Sequence, residues 1–355
     1  MNILCALIII TFITNCIVSH KLLYVKTPID IPVIFFVLAK LISVFTSISP
    51  ESSSIILIND LPYYLLFFIF NYILSEDFEK IYQNFLRVLL FSSLIGSLIG
   101  IASYLLKFSE RAISTTSGFT TLGIYLTVCL SIFLFQQDNK YLFRNNILFF
   151  VFILILLGGI LFTFNRTHWL ACILIIIVYS VYKRKYIYIL FTVISSAVFI
   201  FIPSLQVRLF QLILFWKNMS DRDILWKGAY SLIYEKPFFG FGPNTFNIVF
   251  PLKNELADKM VASWHNDYLQ IYMDSGIFAI TAFVLIIIFV YYYAYKYLKS
   301  DYDKKNKIIP ILCALSFFFI FGGFLDYLGS LLFKIILSIF IIQISLFYKQ
   351  KKTVI

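Results

Sequence analysis

The sequence predicts an all-α fold: a polytopic bundle of about eleven transmembrane helices (ten to twelve), with one long outward loop that contains an amphipathic helix. Three observations carry this reading. Hydrophobic residues make up 61% of the chain and charged residues only 13%, where soluble domains hold about 25% charge. Apolar runs near the ~20 residues that cross a bilayer recur along the sequence. Only one interval between them, 204–269, is long, so residues 1–355 are expected to form a single integral membrane domain without a separate soluble catalytic domain.

The predicted spans are 3–19, 29–49, 55–74, 86–106, 118–136, 147–164, 168–182, 186–203, 270–295, 308–326 and 329–348. Residues 3–19 lack the basic n-region and small-residue cleavage site of a signal peptide, so they count as the first span. Basic residues are retained on the cytoplasmic side of short loops. One alternating set of loops and ends holds seventeen Lys and Arg, the short loops of the other set only three (Lys107, Arg111 and Arg166). The C-terminus is therefore expected in the cytoplasm and the 204–269 loop outside.

The net charge of +11, from 29 Lys and Arg against 18 Asp and Glu, follows from that topology, and no nucleic-acid partner is expected. Cys5, Cys16, Cys129, Cys172 and Cys313 all lie in apolar runs without metal-ligand spacing, so neither a disulfide framework nor a metal site is predicted.

Within the long loop, Ser220 suits a helix N-cap with Asp223 three residues on. Ile224, Leu225, Leu232 and Ile233 make an apolar stripe, and Pro237, Gly240 and Gly242 end the helix. The expected product is one amphipathic helix on the outer membrane face. "GFGPNTF" at 240–246 lacks the third glycine of a dinucleotide fingerprint and the Lys-Ser/Thr of a P-loop; it is a turn.

Three polar segments precede helices at the outward side: "NRTHW" at 165–169, "SDRDILW" at 220–226 and "SWHND" at 263–267. A helix N-terminus exposes unpaired N–H groups and a positive dipole end, so an arginine there calls for an anion. Arg166 and Arg222 occupy such positions, and guanidinium forks beside helix N-termini suit a diphosphate. Arg166 equally fits an interfacial snorkelling arginine, and Arg222 an ion pair with Asp221 or Asp223.

His265 is the best-placed general base, since an imidazole can take a hydroxyl proton near neutral pH. The bland alternative is an interfacial polar residue beside a belt tryptophan. His168, two residues from Arg166, competes for the role. Asp267 and Asp274 stand seven apart and share a helix face, with Asp274 deep enough to need a partner. Trp264, Asn266, Asp274 and His168 are the expected substrate contacts. Lys40, Asp60, Asp326 and Lys334 are further intramembrane or near-membrane charges, set outside this core group.

Taken in order, Asn165-Arg166-Thr167, then Arg222 with Trp226 and "KPFFGFGPNTF", then "HNDYLQIYMDSGI" at 265–277, resemble the O-antigen ligase and O-antigen polymerase superfamily of bacterial membrane glycosyltransferases. The resemblance covers roughly 110–330, with "SGFTTLGIYL" at 117–126 and "GGFLDYL" at 322–328. The sequence departs from the family pattern at Ala279, where a second glycine is usual, and at Asp274, where Glu is commoner.

The resemblance implies a metal-independent, inverting glycosyltransferase of the bacterial inner membrane, without cofactor, its active site on the periplasmic face. The donor would be an undecaprenyl-diphosphate-linked glycan and the acceptor a lipid A-core. A polymerase would use a second lipid-linked glycan instead. His265 would be the general base, with Arg166 and Arg222 on the diphosphate. A lipid-linked glycan transporter is a third reading; it would need no base at His265.

Overall fold

The computed structural model describes residues 2–21, 23–115, 118–137, 139, 142–186, 206–207, 210, 221–256, 259, 261–299 and 305–352. Among them all regular structure is helical. Twelve α-helices lie among the described residues: α1 (Asn2–Ser19), α2 (Asp30–Phe45), α3 (Pro50–Glu76), α4 (Phe78–Leu105), α5 (Phe119–Phe133), α6 (Asn146–Phe162), α7 (Arg166–Lys183), α8 (Arg222–Leu232), α9 (Phe246–Val249), α10 (Asp267–Leu298), α11 (Lys305–Phe321) and α12 (Leu331–Lys352). Among the described residues five segments are long and apolar enough to cross a membrane: α3, α4, Phe119–Gln136, α7 and α10. Four shorter apolar helices lie within α1, α6, α11 and α12. The expected span at 186–203 and the expected cap Ser220 lie outside the described residues.

Asparagine starts three of these helices. Asn145, Asn165 and Asn266 each precede the first helical residue, and their side chains accept from Leu148, Thr167 and Leu269 N–H respectively. Each satisfies one of the donors a helix start leaves unpaired.

The chain forms two compact units. In the first, residues 1–78, 220–302 and 318–355, α10 packs against α2 and α12, while α3 packs against α1, α2 and α12. The second comprises residues 79–219 and 303–317. At its centre α5, buried from Leu122 to Phe133, packs on α6 and α7.

Two expected boundaries move. The 308–326 span stops at Phe321, because Gly322 and Gly323 open a turn whose later N–H groups bond outside the helix. The amphipathic helix begins after Asp221, which sits at φ +62° without a side-chain cap and pairs with Lys259 at 2.7 Å. Its apolar face builds a core within the loop itself: Leu225, Ala229 and Leu232 pack with Phe241, Phe246, Phe250, Trp264 and Met273.

Candidate functional site

The polar site of the first unit is organised by an interruption in α10. Asn266 caps the helix with its side-chain oxygen 3.0 Å from Leu269 N. Nine helical residues follow, and Gly276 then takes φ 70°, ψ −167°, a conformation essentially restricted to glycine. The break frees backbone groups, and the loop after α8 satisfies them. Phe241 N–H donates to Met273 O at 2.7 Å, Gly242 N–H to Asp274 O at 3.0 Å, and Ile277 N–H to Pro237 O at 2.8 Å. A side chain at Gly240 would put its Cβ 2.5 Å from the Asp274 backbone. The Pro-x-x-Gly-x-Gly turn is thus a backbone splint across a broken helix.

The short helical segment ahead of the break presents Asp267, Gln270, Ile271 and Asp274 to one cavity of about 410 Å³, the i, i+3, i+4, i+7 face of a helix. Gln270 joins two parts of it. Its amide N–H groups donate to both Asp274 oxygens at 2.9 Å, and its carbonyl accepts from Trp264 N–H at 3.1 Å. Across the cavity, Asp60 of α3 pairs with Lys334 of α12 at 2.5 Å and with Lys40 of α2 at 4.0 Å. Three helices thereby share one buried ionic cluster, the arrangement that makes intramembrane charge tolerable.

Asp267 anchors the turn after α11. Its carboxylate accepts from Tyr327 N–H at 3.2 Å and Leu328 N–H at 2.9 Å, while its own N–H donates to Gly322 O at 2.7 Å. That turn carries Asp326, another cavity residue, whose carboxylate accepts from Gly329 N–H at 2.9 Å. Arg222, the first residue of α8, docks on the same turn through Nε–H to Phe324 O at 3.0 Å.

His265 stands solvent-accessible just before the Asn266 cap, with φ +48°, an uncommon value for a non-glycine residue. Its Nδ1 lies 3.3 Å from Ser263 Oγ, and Ser263 lines the cavity. Crowding by its neighbours partly desolvates this exposed ring and lowers the imidazole pKa; Asp326 opposes this and Arg222 reinforces it. Arg222 docks on the turn that carries Asp326, and His265 contacts the cavity wall through Ser263.

Of the expected site residues, the first unit brings together His265, Arg222, Asn266 and Asp274. Trp264, an expected substrate contact, is 1% exposed, and its ring packs edge-on against Phe246 and Phe250 in the loop's own hydrophobic core. His168, another expected contact, is fully buried in α7, against the space that Gly123 of α5 leaves open. Its ring fills a helix–helix contact and presents no surface to a substrate. Arg166 opens α7 after the Asn165 cap, in the second unit. Lys40, Asp60, Asp326 and Lys334 line the cavity, as does Gln270, whose place three residues after Asp267 and four before Asp274 puts it on the same helix face. Among the described residues no group of three His, Cys, Asp or Glu side chains is placed to hold a metal ion.

Residues 150–284 match the family model described as O-antigen ligase, less than half of the chain. A ComP-specific O-oligosaccharyltransferase of Acinetobacter baylyi is 24% identical over 214 residues, which cover 56% of this chain and 37% of that protein. The matched stretch thus spans little more than a third of that relative's length.

Proposed function

We propose that this chain, whose residues 150–284 match the O-antigen ligase family model and whose described helices include five apolar enough to cross a membrane, is a periplasmic-face glycosyltransferase whose general base is His265. The observation that carries the reading is that His265 contacts Ser263 on the wall of a polar cavity while Arg222 docks on the turn that brings Asp326 to the same cavity. The donor is an undecaprenyl-diphosphate-linked glycan. With Nδ1 engaged by Ser263, Nε2 takes the proton of an acceptor hydroxyl. The hydroxyl oxygen bonds to the anomeric carbon as the carbon–oxygen bond to the diphosphate breaks, and the electron pair leaves with the diphosphate. Arg222 stabilises that developing charge. Displacement from the far side inverts the anomeric configuration and needs no metal. Arg166 takes its assignment to the diphosphate from motif order alone.

The preferred acceptor is a lipid A-core. The relative's name supports a second reading, in which the same donor chemistry serves O-linked oligosaccharide transfer to a protein; a polymerase joining lipid-linked repeats shares it too. Lipopolysaccharide gels and undecaprenyl-linked glycan analysis of a deletion strain distinguish them. Bare core with accumulated long lipid-linked polymer marks a ligase. Core capped by single repeats marks a polymerase, and an unglycosylated protein with unchanged lipopolysaccharide marks a protein acceptor. No change in any glycan overturns the transferase reading.

A further inference from the structure

We propose that Tyr230, Tyr234 and Phe238 form a wedge by which the loop dips into the bilayer, with Phe238 among the acyl chains and the two tyrosines at the lipid headgroups. The partner is the phospholipid of the leaflet that this loop faces.

The descent of the loop is written in its contacts along α10. At the top, Arg222 Nε–H donates to Phe324 O at 3.0 Å, in the turn held by Asp267, the first residue of α10. Lower down, Tyr272 O–H donates to Ile233 O at 2.7 Å. Lower still, Ile277 N–H donates to Pro237 O at 2.8 Å, and the Phe238 ring stacks on Phe278 with centroids 6.2 Å apart. Between Asp267 and Ile277 a helix advances about 15 Å. The segment that begins with α8 thus runs down the side of α10 and does not lie flat on the membrane. The apolar stripe expected to face lipid is spent elsewhere, since Ile224, Leu225 and Leu232 pack into the loop's own core.

The length of α10 gives the depth. Its 32 residues extend about 48 Å, against ~30 Å of hydrocarbon. The far end carries tyrosines and a lysine of the kind that mark a membrane interface, with Lys296 Nζ 5.1 Å from the Tyr292 ring. Stepping back from Tyr295 by the ~20 residues that cross the hydrocarbon reaches the Gly276 break. Residues 267–275 therefore stand above the acyl chains, and Phe238, beside the break, stands level with them. Its side chain is 61% exposed, and those of Tyr234 and Tyr230 are 83% and 73% exposed. A purely apolar ring suits acyl chains, while a phenol, apolar with a polar tip, suits the headgroup layer. The order Tyr, Tyr, Phe down the wedge matches that gradient. Seated in this way, the wedge fixes the height of Arg222 above the lipid.

A genetically encoded fluorescent residue, acridonylalanine, at position 230, 234 or 238 of the full chain in phosphatidylcholine nanodiscs tests this. Asn254, exposed on the same loop, is the reference position. The quenchers are a nitroxide on the lipid headgroup, a nitroxide on the acyl chain and aqueous iodide. Position 238 should lose most of its emission to the acyl-chain nitroxide and little to iodide. Positions 230 and 234 should lose most to the headgroup nitroxide, and position 254 most to iodide. Tyr230 and Tyr234 are exposed enough to carry the label without disturbing the fold, so they decide the matter if the label at 238 displaces Phe278. Iodide quenching at 230 and 234 as strong as at 254 overturns the wedge. Protection of both positions from iodide and lipid nitroxides alike also overturns it, and would mean that a second protein chain covers this face.

Discussion

Ile277 N–H donates to Pro237 O at 2.8 Å across the interruption that Gly276 makes in α10. That bond requires Gly276 at φ 70° with the Phe238 carbonyl where a Cβ would stand, 2.2 Å away. Gly276→Ala should therefore lower stability by about 1–3 kcal/mol from backbone strain alone, with more from the clash. Thermal unfolding in detergent reads the loss. Transfer activity should fall further than stability, because the break sets the direction of Asp274. An alanine variant with wild-type melting and activity would remove the splint from the account.

The Lys40–Asp60–Lys334 cluster should respond asymmetrically. Asp60→Ala leaves two buried ammonium groups without their counter-charge, a loss on the order of 3–5 kcal/mol. Replacing Asp60 and Lys334 together by Leu and Met should be milder than Asp60→Ala. Chemical unfolding of the two variants decides it; equal losses would mean that Asp60 contributes only its shape.

Much of this architecture was legible in the sequence, and the reasons are physical. Composition and twenty-residue apolar runs disclose a membrane bundle because lipid demands both. The spacing of Asp267 and Asp274 correctly puts two carboxylates on one face, since helical periodicity is local. The end of α11 is not legible in the sequence because "FGGFLDYL" is as apolar as a span; what stops the helix is the pairing of Tyr327 and Leu328 N–H with Asp267, sixty residues away in the chain. Trp264 and His168 sit among polar neighbours in sequence, whereas packing decides their burial. Lys40, Asp60 and Lys334 each stand alone in an apolar run, and only the fold brings them into one cavity.

Arg222 should not be replaceable by lysine. Its Nε–H is spent on Phe324 O, which orients the remaining guanidinium donors as a fork that a point charge cannot reproduce. Arg222→Ala and Arg222→Lys should each lower kcat/KM by about 10²–10³. Steady-state transfer assays with a lipid-diphosphate glycan check this, and recovery in the lysine variant would reduce Arg222 to a simple charge.

The pH profile should carry the signature of His265. Desolvation holds its pKa below the ordinary imidazole value, and its charged neighbours are Asp326, which raises it, and Arg222, which lowers it. The neutral, proton-accepting form therefore persists below about pH 6.5, and kcat/KM should fall only as pH drops beneath that value. Asp326→Asn removes the raising influence, so its acid limb should move to still lower pH. A limb that moves upward, or stays fixed, would separate the base from His265.

The most direct test is single-turnover transfer by purified wild type and His265→Ala from an undecaprenyl-diphosphate-linked glycan, with donor binding measured in parallel. The expected result is unchanged donor affinity with transfer lost by at least about a hundredfold. Transfer at the wild-type rate by His265→Ala would contradict the account.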